Sequence, residues 1–325
     1  MSSPAAGSMI EGLAVRTYSA ADAVLASKGR SFHWARHLLS PVHAARATRL
    51  YGFCRYIDDL ADESASTDAA REALASASYS IRTGRSRNPV IIDAIDLMRE
   101  CAIDPAIVLE LIRGVASDAE PVRIADEAAL LRYCYHVAGT VGLMMCRVLD
   151  VDDPAAFSHA IDLGIGMQLS NICRDVAADA ASGRRYLPAS MVGDLPPEVL
   201  IDPGEGLRPR LRRCIAVLLD HADTYYRSGE TGLAYLPIGA RSAILVAARL
   251  YRAIGIRLRQ RDHAYWSGRV VVHRGAKTLL TAHALLTAPV KPSFWSAPRR
   301  HDDALHAALT GLPYIVGHLE TNHAR

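Results

Sequence analysis

Apolar residues recur three and four positions apart through most of this chain, in stretches far longer than a β-strand. No period-two alternation lasts more than a few residues. That periodicity confines the fold to the all-α class. It predicts helices over about Ala20–Leu39, Pro41–Ser64, Asp68–Thr83, Pro89–Cys101, Ala106–Ser117, Asp126–Asp150, Asp153–Ala181, Leu207–Ser228, Gly232–Trp266 and Ala276–Leu286. Several open on a start signal: Pro41 after Ser40, Pro89 after Asn88, and Pro154 behind Asp152 and Asp153. The proline-rich break Tyr186–Gly206 reads as a loop between core helices, because similar apolar helices flank it. A second such stretch, Pro289–Pro298, introduces a polar tail containing histidines.

Composition narrows the function. Of 325 residues, 50% are hydrophobic, and 37 Lys+Arg nearly balance 34 Asp+Glu, for a net charge of +3. Disorder is excluded, since so apolar a chain buries a large core. No nucleic-acid partner is expected, because so small a charge creates no broad phosphate-attracting field. The longest uncharged run, Tyr133 to Cys146, makes a helix of about 21 Å, short of the ~30 Å hydrocarbon core. Residues 1–18 are expected to be a disordered lead, with no secretory signal in Met1–Glu11. A catalytic domain over 19–290 and a partly ordered tail over 291–325 follow. The six scattered cysteines form no C-x-x-C pair and read as small buried residues of a reduced, cytoplasmic protein.

Two acidic clusters carry the chemistry. In Asp58-Asp59-Leu60-Ala61-Asp62, Asp58 and Asp62 are one helical turn apart on one face. In the second cluster Asn171, Asp175 and Asp179 form one stripe, with Gln168 close to it. One such pair alone reads as a solvated acidic face. Here both lie in apolar helical surroundings, and the second adds a neutral oxygen donor. Such oxygen sets suit a hard cation, Mg²⁺ with Mn²⁺ as the alternative, rather than zinc. Two Mg²⁺-binding clusters imply a diphosphate substrate, for which arginine forks are the natural partners. Arg55 and Arg174 adjoin the clusters, and Arg184, Arg185, Arg269 and Lys277 are further candidates. Rival chemistry is weaker: Gly164-Ile165-Gly166 lacks a third glycine, no Walker A sequence exists, and His33 with His37 has no third ligand.

These residues resemble the squalene/phytoene synthase family, the head-to-head prenyl synthases, and most of all its bacterial phytoene-forming branch. The matching segments are Ser31-Phe32, Leu50 to Asp62, Leu131 to Met145, Gln168 to Asp179, Gly183 to Pro188, Tyr251-Arg252, and Arg269 with Lys277, spanning about residues 25–280. One departure is Ala178, where many relatives carry an acidic residue. The resemblance implies a single-domain, isoprenoid-synthase-type helical bundle around a central apolar cavity. It implies that Asp58, Asp62, Asn171, Asp175 and Asp179 hold the metal, and that Arg30, Ser31, Arg55, Arg174, Arg269 and Lys277 hold diphosphate. Phe32, Tyr51, Val137, Gly139, Gln168 and Tyr251 would line the cavity, with Tyr51 and Arg55 among the catalytic groups. Gly139 and Gly142 are open to two readings, room for a prenyl chain or close helix packing. The implied reaction condenses two geranylgeranyl diphosphates to 15-cis-phytoene, with no NADPH and with peripheral membrane contact. The alternatives are a farnesyl-diphosphate-using squalene, dehydrosqualene or hydroxysqualene-type synthase, and a non-catalytic assembly relative.

Overall fold

Each of the first helices begins where a short polar side chain can take amides that the helix itself leaves free. The computed structural model describes residues 34–296 and 300–315. The predicted helix Ala20–Leu39 therefore lies mostly outside the described residues, as does the 1–18 lead. Ser40 caps α1 (Pro41–Asp62), Ser66 caps α2 (Thr67–Thr83), and Asn88 caps α3 (Pro89–Glu100). Asp104 and Asp126 do the same for α4 (Pro105–Asp118) and α5 (Glu127–Cys134). These match the predicted helices to within two residues at their starts.

One predicted helix, Asp126–Asp150, is three segments: α5, a π-turn over Tyr135–Gly139, and α6 (Thr140–Val148). The Thr140 amide donates to the Tyr135 carbonyl, five residues back. Apolar spacing cannot register one extra residue in a turn, and such turns recur at functional sites. The chain continues through α7 (Pro154–Ala181) and two one-turn helices, α8 (Ala189–Val192) and α9 (Glu198–Ile201), in the predicted loop. α10 (Arg208–Thr231), α11 (Ile238–Gln260) and α12 (Arg274–Thr287) complete the bundle. The predicted helix Gly232–Trp266 is broken at Pro237, which lacks an amide hydrogen and holds Leu236 extended (ψ 152°). A 3₁₀ turn over Gly232–Tyr235 precedes that break, and another over Tyr265–Ser267 follows α11.

The 28-residue α7, about 42 Å long, runs through the centre. Its middle is buried on all sides (Ile161, Gly164, Ile165, Leu169, Cys173), and α5, α6, α10 and α11 pack around it. No strand occurs among the described residues; Arg123 and Arg185 make a single isolated parallel bridge. Residues 300–315 fold back onto the bundle, where Leu309, Leu312 and Ile315 are buried. Arg132 donates to the carbonyls of Ala308 and Thr310, and the Tyr135 hydroxyl donates to that of Pro313. All six cysteines are unpaired, five of them buried and Cys54 half-buried, as their apolar surroundings predict.

Candidate active site

The C-terminal half of α1 and the second half of α7 bring the two acidic clusters to one polar cleft. Asp58, Asp62, Asn171, Asp175 and Asp179 all line it, with Gln168, Arg174 and Arg184. The cleft opens into an apolar tunnel of about 330 Å³, and the two spaces share Asp58, Val137, Gln168 and Asn171. Tyr51 and Tyr251 line the tunnel beside Val141, Met145 and Leu163. Charge is thus confined to one end of a long hydrophobic space.

Electrostatics follow from that crowding. Burial pushes the Asp58 carboxyl up to about 7; Arg55 opposes this, while Asp62 and Asp118 add to it. Burial also lifts Asp179 to about 7, helped by the neighbouring Asp175 charge. Asp175 behaves oppositely. Burial raises it, but Arg174 and Arg269 outweigh burial and hold it below the usual carboxylate range. Arg174 Nε lies 2.9 Å from Asp175 Oδ1, and Arg269 Nε lies 2.8 Å from the same oxygen. Burial pushes the Tyr51 phenol up to about 12, so it is a neutral hydroxyl at the tunnel wall.

The donor set fits a hard cation. Asn171 Oδ1 is buried with no hydrogen-bond partner, a costly state for a carbonyl oxygen that a cation would relieve. Burial, with neighbouring carboxylates adding to it, pushes two of these carboxyls up to about 7, and a bound cation would displace their protons. All five candidate ligand atoms are oxygen, which suits Mg²⁺ or Mn²⁺.

Other expected residues fall differently. Gly139 does not line the tunnel. It is buried against Tyr135 and Ile161, whose atoms lie 3.2 and 3.3 Å from where its Cβ would be, and Gly142 takes the lining position. Arg185 is no anion ligand: fully buried, it pairs with Asp194 at 2.8 Å and donates to the Ile124 and Leu187 carbonyls. Arg55 pairs with Asp59 one turn on, and Lys277 is buried in the first turn of α12; neither lines the cleft or tunnel. Arg30, Ser31 and Phe32 lie outside the described residues.

Sequence reasoning missed Asp118, Tyr133 and Tyr186. Both phenols donate to Asp118, at 2.8 and 2.7 Å, at the cleft wall. Arg184 joins this wall to the first cluster, donating to Asp62 at 2.9 Å and to the Asp118 carbonyl. Asp118 ends α4 and belongs to no motif, so only its position in the fold marks it.

An all-helical bundle with paired aspartate clusters at the mouth of an apolar tunnel defines a class, the helical isoprenoid synthases. Residues 25–276 match the squalene/phytoene synthase family. The phytoene synthase of Pseudescherichia vulneris is 34% identical over 279 residues, covering 82% of this chain and 88% of that protein. The 15-cis-phytoene synthase of Enterobacter agglomerans is 34% identical over 291 residues, covering 84% and 96%. Among solved structures, a ligand-bound dehydrosqualene synthase superposes with a TM-score of 0.76 at 24% identity, covering 86% of this chain and 98% of that one. A squalene synthase from Alicyclobacillus acidocaldarius gives 0.66 at 19%, covering 76% and 94%. The chain belongs to the squalene/phytoene synthase family.

Proposed function

We propose that this protein joins two geranylgeranyl diphosphates head to head, through prephytoene diphosphate, to 15-cis-phytoene, the first committed step of carotenoid biosynthesis. Two diphosphates leave, and the product needs no hydride donor, so no NADPH is required. The observation that carries the reading is the continuity of an aspartate-lined cleft with a long apolar tunnel. The choice of the C20 substrate rests on the relatives that are phytoene synthases.

Asp58, Asp62, Asn171, Asp175 and Asp179 would hold Mg²⁺ (Mn²⁺ the alternative). When bound, the metal supplies positive charge to the departing diphosphate. Arg174 and Arg269 both grip Asp175 and keep it ionised, and Arg174 lines the cleft. Arg184 adds positive charge at the cleft wall, and Arg55, Lys277, Arg30 and Ser31 would complete the diphosphate set. The apolar tunnel excludes water, which would otherwise quench an allylic cation. The ring faces of Tyr51 and Tyr251 stabilise such a cation without acting as bases.

Peripheral membrane contact is part of the proposal. Leu286, Val290 and Trp295 are exposed at and beyond the C-terminal end of α12, with Lys291 next to Val290 in sequence, and Ile238 is exposed at the start of α11. Among the described residues no helix is long and apolar enough to cross a membrane. The deciding experiment incubates the protein with Mg²⁺ and each prenyl diphosphate, followed by product analysis. A C40 product from geranylgeranyl diphosphate is expected. A C30 product from farnesyl diphosphate, with no C40 product, would sink the assignment.

A further inference from the structure

The first half of α7, away from the aspartate cleft, holds a second group of ligating side chains. Asp162 is fully buried, a position where a carboxylate is costly unless well partnered. It takes hydrogen bonds from two segments that are distant from it in sequence, α10 and residues 300–315. Ser228 Oγ on α10 donates to it, His301 Nε2 lies 2.7 Å from Oδ2, and His306 Nε2 lies 2.8 Å from Oδ1. His159, one turn earlier on α7, lies on the same side, its ring 5.2 Å from that of His301.

The histidine nitrogens are arranged as metal ligands usually are. His159 Nδ1 sits 2.9 Å from the Ser228 carbonyl, which can only accept, so Nδ1 carries the proton and Nε2 presents a lone pair. His301 Nδ1 lies 3.5 Å from Asp303 Oδ1, and its Nε2, which donates to Asp162, would give up that proton to a bound metal. Backing of a ligating imidazole by a carbonyl or carboxylate is the usual outer-shell pattern of a metal histidine.

We propose that His159, Asp162 and His301 form a zinc site that fastens the 300–315 segment to α7, with His306 steadying the second Asp162 oxygen. Their ligand atoms lie within 4.8 Å of one another. A tetrahedral ion with ligands at ~2.0 Å has edges of about 3.3 Å, so His301 Nε2 would open slightly from its 2.7 Å approach to Asp162 while no other pair closes by more than about 1.5 Å. His301, on a short turn rather than inside a helix, is the group placed to move. Two imidazoles and one carboxylate suit Zn²⁺ and disfavour Mg²⁺, which keeps the all-oxygen cleft. The two sites are therefore separable chemically.

The test uses the full, untagged chain, stripped by chelator and dialysed against excess Mg²⁺ to fill the oxygen cleft. One equivalent of Zn²⁺ is expected to stay bound and raise the thermal midpoint. Co²⁺ in its place should give the visible absorption of a four-coordinate nitrogen-containing site. His301→Ala, which alters a residue outside the helices, should lose that absorption and weaken Zn²⁺ binding at least about 10–100-fold. Asp175→Asn should retain both. No Zn²⁺ retained against Mg²⁺, or absorption indifferent to His301→Ala, would show that Asp162 is held by hydrogen bonds alone.

Discussion

Gly142→Ala probes the crossing of α6 and α7 that supports the whole site. A Cβ on Gly142 would lie 2.2 Å from the Ala160 carbonyl oxygen and 2.8 Å from its carbon. Across the same crossing, a Cβ on Gly164 would lie 2.3 Å from the Ala138 carbonyl oxygen. Carbon–oxygen contacts settle near ~3.3 Å, so one added methyl must drive the helices apart by about 1 Å. The obstacle is helix backbone, which cannot rotate aside. Overpacking of this kind costs ~1–3 kcal/mol, against which alanine's better helix propensity returns up to ~1 kcal/mol. The expected net loss is about 1–2 kcal/mol, a few degrees in Tm for a chain of this size. Turnover should suffer more, because the crossing sets Val137 against Gln168 and Asn171, and a 1 Å misplacement near reacting groups costs about 100-fold. Denaturant melts and steady-state kinetics measure the two effects. Gly275→Ala on α12, with nothing within 4 Å of its Cβ, is the control and should be neutral or stabilising. Gly164→Ala should mimic Gly142→Ala, and the double variant should cost less than the sum, since one separation relieves both clashes. Wild-type stability and turnover in Gly142→Ala would refute the reasoning.

Three further outcomes are expected. Asp58→Asn and Asp175→Asn should each abolish turnover in the product assay; activity surviving either change contradicts the metal assignment. With Asp58 and Asp179 raised from 3.8 to about 7, the folded chain holds protons that the unfolded chain has already released. Their contribution is complete below about pH 4 and lost as pH rises through 7. Chelated protein should therefore melt lower at pH 8 than at pH 5, Mg²⁺ should restore the loss at pH 8, and Asp58→Asn should flatten the dependence; a pH-independent Tm would count against it. Leu286→Ser with Val290→Ser should reduce co-sedimentation with anionic lipid vesicles without changing turnover of detergent-dispersed substrate, and unchanged sedimentation would exclude this face as the membrane contact.

Much of the fold is legible because helices are local. Ser40, Asn88 and Asp153 cap where short polar residues before proline predict, and α7 begins within a residue of its expected start. The errors lie where apolar periodicity is blind. Pro237 splits one expected helix by steric rules that apolar periodicity overlooks, and the π-turn at Tyr135–Gly139 adds a residue that no spacing reveals. Gly139 faces Ile161 while Gly142 lines the tunnel, a choice that apolar spacing leaves open.

The site divides in the same way. Asp58 with Asp62, and Asn171 with Asp175 and Asp179, declare themselves in the sequence because ligands on one helix face must repeat every turn. Asp118 with Tyr133 and Tyr186, and Asp162 with His301 and His306, come from segments far apart in the chain and share no periodicity. The sequence by itself determined the helical class and which oxygen donors could act together along one helix. Tertiary structure alone decided that the two helices face one cleft, that the cleft continues into a tunnel, and which buried carboxylates keep their protons. Those properties depend on distance and desolvation between residues far apart in the chain, and local spacing encodes neither.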